Sequence, residues 1–566
     1  MTGGRKEPRF IDGHRPLDWR FALADLGAGA SLCVLLVPAG MAYSLAAGLP
    51  PVAGLYASIT SLLVYGILGP SKVLILGPDS SLAPLIAAAV LPLAAGDPRR
   101  AISLAGLLSV LVGAILILGF LLRAGFLSNL LSKPIRTGYL AGIAVVIAVN
   151  QLPGLLGLED SSAASGVWEQ LTAILIHLER GDTNLAAALI GACVLALLVV
   201  TSRSSPRWRM LGVLGAVAGS MLAGFLLRLE GTVRMVGALP GGWPAPALDR
   251  LGPADIAALA GPAAGIALLA FADTTVLSRT LALRAGNAVD GGREMLGLGA
   301  ANAAAGLFGG FPVSASTSRT PVAIHAGART RLAGIFSALF LLAFMQIAPD
   351  ATQYLPSSVL SAVVVVAAAS MIDLKGMYAL FRSSLTEASL MTATFVGVVF
   401  LGVLIGVVVA VGLSLAVFVA RAMSPYRTEL VLVEGVPGFH DVTRHPEGTR
   451  IPGLAIVRFD APLFFANGQV FVDHVRSLVD RSPAPIHGVI VAAEAITGID
   501  STAVEQLVQL DEYLHAQGTV LVFAELKGPI KDKLARFGLE TRLGQARHYP
   551  TLESAVDAWR QDPNSG

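Results

Sequence analysis

From Ala24 to Ala422 the chain is a near-continuous succession of apolar stretches, each roughly 15 to 25 residues long and parted from the next by a short polar break. A run of that length matches the hydrocarbon thickness of a bilayer, and a chain that repeats it has few other folds open to it. Composition agrees: of 566 residues 54% are hydrophobic and 14% charged, with a mean hydropathy of +0.70. Soluble domains carry roughly a quarter charged residues. The expected fold is a polytopic α-helical membrane protein, with the lipid bilayer as its main solvent.

Candidate spans lie near 25-48, 52-69, 80-95, 101-122, 135-156, 185-201, 210-228, 255-283, 291-309, 316-328, 330-348, 358-372, 387-402 and 403-421. Their even number places both ends on one side. Lys and Arg in short loops set sidedness. On the terminal side lie Arg5, Lys6, Arg9, Arg15, Arg20, Lys72, Arg123, Lys133, Arg136, Arg203, Arg207, Arg209, Arg284, Arg293, Arg329, Arg331, Lys375, Arg382 and Arg421. The other side holds Arg99, Arg100, Arg180, Arg228, Arg234 and Arg250, several of them diluted by Glu159, Asp160, Glu169, Glu179 and Asp182. Both termini are therefore expected in the cytoplasm, with the protein in the cell (inner) membrane. The first apolar run has no small-residue cleavage pattern and reads as a retained span. Near Arg421 to Pro425 the composition changes, which divides the chain into a cytoplasmic segment 1-24, a transmembrane domain 25-422 and a cytoplasmic domain 423-566.

Several functions are excluded early. Forty Lys plus Arg against 38 Asp plus Glu leave a net charge of +2, which argues for no nucleic-acid partner. The two cysteines, Cys33 and Cys193, fall in apolar runs and form no disulfide framework or metal site. There is no nucleotide-binding loop, zinc spacing or nucleophile elbow. His325, the only histidine near the expected centre, reads as a residue of the cytoplasmic end. No cofactor, metal or enzymatic activity is expected; secondary transport or a channel remains.

Two segments break the membrane pattern in a matched way: Leu76-Gly-Pro-Asp-Ser-Ser-Leu-Ala-Pro84 and Phe311-Pro-Val-Ser-Ala-Ser-Thr-Ser-Arg-Thr320. Each sets a proline shortly before a hydroxyl cluster, then an apolar run too short to span alone. Non-helical backbone at membrane depth survives only where protein or a water-filled cavity satisfies its amides. Matched interruptions in two halves point to a transporter site built on half-helices. They are the third and tenth of the fourteen spans, so the chain reads as seven plus seven inverted repeats. Read otherwise, Gly77-Pro78 and Phe311-Pro312 are loop turns between ordinary short spans.

Arg319 falls in the second interruption. An intramembrane charge is costly and a functional candidate by default, and a guanidinium suits an anion; otherwise it snorkels to the interface or pairs permanently with a carboxylate. Ser80, Ser81, Ser314, Ser316, Thr317 and Ser318 supply hydroxyl donors beside it, and Tyr43, after the midspan Pro38, is a candidate to line the pathway. Asp79 reads as a helix cap turned away from the cavity, since it would repel an anion. Asp273, deep in the eighth span, is either neutral, paired with Arg319, or a site for H+ or Na+.

After Leu430, the runs Leu454-Ala-Ile-Val-Arg-Phe, Gly488-Val-Ile-Val-Ala-Ala and Thr519-Val-Leu-Val-Phe-Ala read as buried strands, and 468-480, 502-517 and 528-537 as helices: an α/β domain. Asp500 or Ser501 caps the second helix, and Ser501 and Thr502 there are candidate phosphorylation or contact points.

These residues carry a resemblance. Pro38 to Tyr43 with Ala47-Gly-Leu-Pro-Pro-Val-Ala-Gly-Leu-Tyr56, then Ser318-Arg319 and Gly327-Ala-Arg-Thr-Arg-Leu-Ala-Gly334, resemble the SulP anion transporters, the sulfate permease group. Ile499-Asp500-Ser501-Thr502 resembles the STAS domain. The resemblance implies a core domain moving against a gate domain, an anion site between the N-termini of the third and tenth spans, homodimers, and substrates among sulfate, bicarbonate, chloride and dicarboxylates. Many members have Gln where Ala39 stands. Sodium-coupled bicarbonate members have a hydroxyl where Leu277 stands and lack the arginine at 319. Both departures lean toward H+ rather than Na+ as coupling ion, or toward uncoupled exchange.

The expected function is a secondary active transporter of a small inorganic or carboxylate anion (bicarbonate, sulfate or a dicarboxylate), working by alternating access. Arg319, Ser318, Thr317, Ser316, Ser80, Ser81 and Tyr43 would bind the anion, and Asp273 would couple H+. The alternatives are an anion sensor signalling through the STAS domain, whose partner is unknown, and an uncoupled channel.

Overall fold

Contacts divide the chain into two units, Met1–Ser414 and Leu415–Gly566. The computed structural model describes residues 21–125, 132–158, 167–202, 206–239, 242–249, 251–284, 289–316, 319–537 and 547–561. Thr317 and Ser318, the basic residues of the first twenty positions, Arg203, Arg250, Glu159 and Asp160 lie outside them, as do the side chains of Arg207, Arg209 and Arg284.

The first unit begins with α1 (Ala22–Ala46), α2 (Pro51–Leu68), a short strand β1 (Leu76–Gly77), α3 (Ala83–Ala94), α4 (Pro98–Leu121) and α5 (Lys133–Leu156). Then come α6 (Val167–Arg180), α7 (Leu185–Ser202), α8 (Pro206–Leu226), α9 (Pro253–Arg284) and α10 (Gly291–Leu307). A second short strand, β2 (Ser314–Ala315), leads to α11 (Arg319–His325), α12 (Leu332–Ile347), α13 (Ser357–Ala369), α14 (Leu374–Ser383) and α15 (Leu385–Leu401). Helix α16 (Val403–Met423) contains the boundary between the units. A helix stands at each expected span. The two not foreseen, α6 and α14, each have one apolar face and are too short and too charged to cross a membrane. Among the described helices α1, α2, α4, α5 and α9 are each long and apolar enough to span by themselves, and the stretch Ser357–Ser383, α13 with α14, is a sixth.

Large apolar side chains such as Leu23, Ile67, Leu118, Leu185, Leu222, Ile347 and Phe400 point outward. In water such a surface aggregates, whereas against acyl chains it is the low-energy arrangement. With no hydrophobic drive between helices in lipid, close approach has to hold them together. Helices α4 and α10 lie along one another through Gly106 and Gly306, where a Cβ on Gly306 would fall 2.2 Å from the Gly106 carbonyl oxygen. Helix α1 runs against α12 and α2, while α5 packs on α13 and α15. Buried acids here are hydrogen-bonded, as their desolvation requires. Asp25 accepts from the Arg329 and Thr330 N–H groups at 2.7 and 3.1 Å, and Glu294 accepts from the Tyr65 hydroxyl at 2.6 Å.

The second unit is a six-stranded sheet in the order β4-β3-β5-β6-β7-β8: β3 (Arg427–Val433), β4 (Val436–Asp441), β5 (Leu454–Phe459), β6 (Gly488–Ala492), β7 (Val520–Ala524) and β8 (His548–Tyr549). Helices α17 (Gly468–Asp480), α18 (Ser501–Ala516), α19 (Gly528–Arg536) and α20 (Leu552–Gln561) complete it. Strands β5 to β8 are parallel. Alternation along β6 sends Val489 and Val491 into one core with Phe471 and Leu510, and Ile490 into another with Leu552 and Val556. Strands β3, β4 and β8 and helix α20 were not legible as elements. Asp500 caps α18: one carboxylate oxygen accepts from Ala503 N–H and the other from Phe465 N–H, both at 2.8 Å. Ser501 and Thr502 are exposed beside it. Asp500→Ala is expected to destabilise this unit by about 1–2 kcal/mol. Calorimetry of the full chain measures this, and an unshifted transition would refute the capping role.

Candidate anion site

The two interruptions meet. Strands β1 and β2 pair antiparallel, Leu76 with Ala315 and Gly77 with Ser314, and α3 and α11 follow them in the chain. Their open backbone is satisfied by protein: Ser316 N–H donates to the Ile75 carbonyl at 3.2 Å, and Ile75 N–H to the Thr320 hydroxyl at 3.2 Å. Ala315 N–H donates to the Thr274 hydroxyl, also at 3.2 Å. Asn302, buried on α10, accepts from Val313 N–H at 2.9 Å and donates to the Val313 carbonyl at 3.1 Å. The crossing is thus held by side chains of α9, α10 and α11, as non-helical backbone within a membrane domain requires.

Arg319 is the first residue of α11 and its side chain is 2% exposed. Among the described residues none of its three guanidinium nitrogens makes a hydrogen bond. Gly77 is why it fits, because a Cβ there would approach Nη1 to 3.2 Å. With seven residues, α11 is too short for much of a dipole, so the guanidinium itself supplies the positive charge.

Around it stand most of the residues singled out from the sequence. Tyr43, buried on α1, faces Ser80, Asp79 and Arg319. Ser80 and Ser81 are buried in the turn before α3, and Ser316 is buried, its hydroxyl accepting from Arg319 N–H at 3.3 Å. Asp273, part-buried on α9, faces Ser81, with Arg136 of α5 and Asp79 the nearest charges and Tyr139 of α5 close by.

The reading of Asp79 as a cap turned away from the cavity is corrected on both counts. Asp79 lies a turn before the cap position of α3, Leu82, which has no side-chain cap, and its Oδ2 accepts from Ser81 N–H at 3.1 Å and Ser81 Oγ at 2.7 Å within that turn. Nor is it turned away: Oδ1 stands 3.9 Å from Arg319 Nη2. This, and no ion pair with Asp273, is the contact Arg319 makes with a carboxylate among the described residues. The Ser81 tether decides it, since it fixes the Asp79 side chain on the Arg319 side of the turn. His325 sits exposed at the end of α11 and hydrogen-bonds the Pro321 carbonyl. Asn302, Thr274 and Thr320 were missed. The signal for Asn302 was a lone amide in a run of small residues, Gly299 to Gly306.

Residues 23–394 match the sulfate permease family and residues 445–555 the STAS domain. The chain belongs to the sulfate permease family. It is a multi-pass membrane protein and an anion transporter of that family, built as seven plus seven inverted repeats with a C-terminal STAS domain. A probable sulfate transporter of Mycobacterium tuberculosis is 37% identical over 563 residues, 99% of each chain. The murine solute carrier 26 family member A9 anion transporter, in its inward-facing state, superposes with a TM-score of 0.87 at 21% identity, over 97% of this chain and 93% of that one. The transmembrane domain of a cyanobacterial bicarbonate transporter, BicA, gives 0.61 at 22%, over 70% of this chain and 99% of that one. At these identities the structural likeness concerns the fold. Ala39 is buried on α1.

Proposed function

We propose that this protein is a secondary active transporter that carries a small oxyanion or carboxylate (bicarbonate, sulfate or a dicarboxylate) across the cell membrane by alternating access, coupled to H+. The observation that carries the reading is Arg319: a guanidinium 2% exposed, without a hydrogen bond among the described residues, at the crossing of two broken membrane segments. A buried charge of that kind costs several kcal/mol unless something pairs with it. An anion would.

In this reading the hydroxyls of Tyr43, Ser80, Ser81 and Ser316, with Thr317 and Ser318, complete the anion's shell, and segment 25-422 carries transport while 423-566 lies in the cytoplasm with 1-24. The chain works as a homodimer in the inner membrane. Asp273 takes the coupling proton: it faces Ser81, on the same turn as Asp79, so its charge is felt at the site. Exposed Ser501 and Thr502 are the regulatory surface of the STAS domain.

The test is uptake of labelled sulfate, bicarbonate and fumarate into proteoliposomes with and without an inward H+ or Na+ gradient. The expected result is saturable accumulation of one anion driven by H+. Asp273→Asn should lose gradient-driven accumulation and keep anion counterflow. Accumulation driven by Na+ alone, or unaltered in this variant, would refute proton coupling through Asp273; linear, unsaturable flux would favour a channel, and binding without flux a sensor.

A further inference from the structure

The Arg319 site has donors on one side and a fixed acceptor on the other. Nε, Nη1 and Nη2 of Arg319 donate no hydrogen bond among the described residues. Oδ1 of Asp79, 3.9 Å from Nη2, is beyond hydrogen-bond reach of it. The other carboxylate oxygen is tied down by Ser81 N–H and Oγ, so Asp79 cannot swing away without losing both bonds. Neighbouring hydroxyls such as Tyr43 and Ser80 can rotate to donate or accept. An ionised carboxylate accepts only.

An anion held by Arg319 therefore lies beside a like charge whose free oxygen asks for a proton donor. Sulfate and nitrate have none to offer. Hydrogencarbonate and the half-protonated form of a dicarboxylic acid each carry a hydroxyl, which can donate to Asp79 while their remaining oxygens accept from Arg319. We propose that Asp79 is the specificity-determining residue of this site and selects anions that bring their own hydroxyl donor, hydrogencarbonate first, over fully deprotonated ones. The proposal rests on Arg319 being the anion site and narrows the substrate class proposed above. A site built to pair with a donor rejects the analogue lacking it, because its own polar group is then left unpaired.

Nitrate isolates the effect, being planar and singly charged like hydrogencarbonate but without a hydroxyl. Binding of sodium hydrogencarbonate, nitrate and sulfate to the full chain in nanodiscs would be measured by calorimetry, at a pH where hydrogencarbonate is the main carbonate species. Wild type should bind hydrogencarbonate at least about tenfold more tightly than nitrate or sulfate. Asp79→Asn keeps an oxygen for the Ser81 hydrogen bonds and removes the charge. It should gain about tenfold or more for sulfate and bring nitrate level with hydrogencarbonate. Equal wild-type affinities for hydrogencarbonate and nitrate, or an Asp79→Asn variant with unchanged ratios, would overturn the proposal, and the wild-type comparison decides even should the variant fail to fold. Loss of all three anions in Arg319→Ala tests the underlying site separately.

Discussion

Arg319→Ala is expected to abolish anion binding and uptake while leaving the melting temperature of the anion-free protein unchanged or raised. The two halves of this expectation come from one observation. A guanidinium binding an oxyanion makes charge-assisted hydrogen bonds, each contributing about 1.5–3 kcal/mol. Losing two of them costs at least about 3 kcal/mol, a hundredfold or more in affinity. For the empty protein the balance reverses. The side chain is 2% exposed, and its nearest carboxylate, at 3.9 Å, is beyond hydrogen-bonding distance, so desolvation of the charge is poorly offset. Removing it relieves that cost and gives up the 3.9 Å ion pair with Asp79, a carboxylate that is 18% exposed and keeps both Ser81 hydrogen bonds. A structural arginine would behave oppositely, its loss unfolding the protein by stranding its partners. Arg319→Lys keeps the charge and loses the planar fork, and should bind anions more weakly than wild type but measurably. Binding calorimetry together with thermal unfolding, both without and with anion, reads all three. Wild-type affinity in the alanine variant, or a large fall in its melting temperature, would end the assignment.

Asn302→Leu should have the largest effect on stability of any substitution near the site, and it never touches the anion. Leucine is close to asparagine in size, so little cavity forms. What changes is hydrogen bonding: the amide that bridges Val313 N–H and C=O disappears. Those two backbone groups lie on the non-helical approach to β2, on a residue that is fully buried. Leaving a buried polar group unpaired costs about 1–3 kcal/mol, so the pair costs about 2–6 kcal/mol. Because β2 leads directly to Ser316 and Arg319, anion affinity should fall with stability. Thermal unfolding in nanodiscs with parallel uptake checks this. Stability within about 0.5 kcal/mol of wild type would mean that Asn302 does not hold the crossing.

Much of the architecture was legible because bilayer thickness leaves its mark residue by residue: an apolar run long enough to span, a polar break, another run. The fourteen spans, their matched interruptions at Leu76–Pro84 and Phe311–Thr320, and the strands and helices of the α/β domain from Leu454 to Phe537 are all statements about neighbours in sequence. So is the suspicion that falls on Arg319, since a charge in such a run is conspicuous on its own. Helices α6 and α14 escaped notice because short amphipathic segments look like loops when only long apolar runs are sought. Strand β8, at two residues, is defined by its partner β7 and not by its own composition.

The sequence by itself determined that the chain crosses a membrane many times, where it breaks, and which charge sits at a break. Only the tertiary structure decided what that charge faces. Nothing in the spacing of residues 79, 273 and 319 distinguishes an Arg319 paired with Asp273 from one beside Asp79. The choice follows from the antiparallel pairing of β1 with β2, which lays Gly77 under the guanidinium, and from the Ser81 tether that turns Asp79 toward it. Interactions of buried charges depend on distances of a few ångströms between segments hundreds of residues apart, and those distances exist only once the helices are packed.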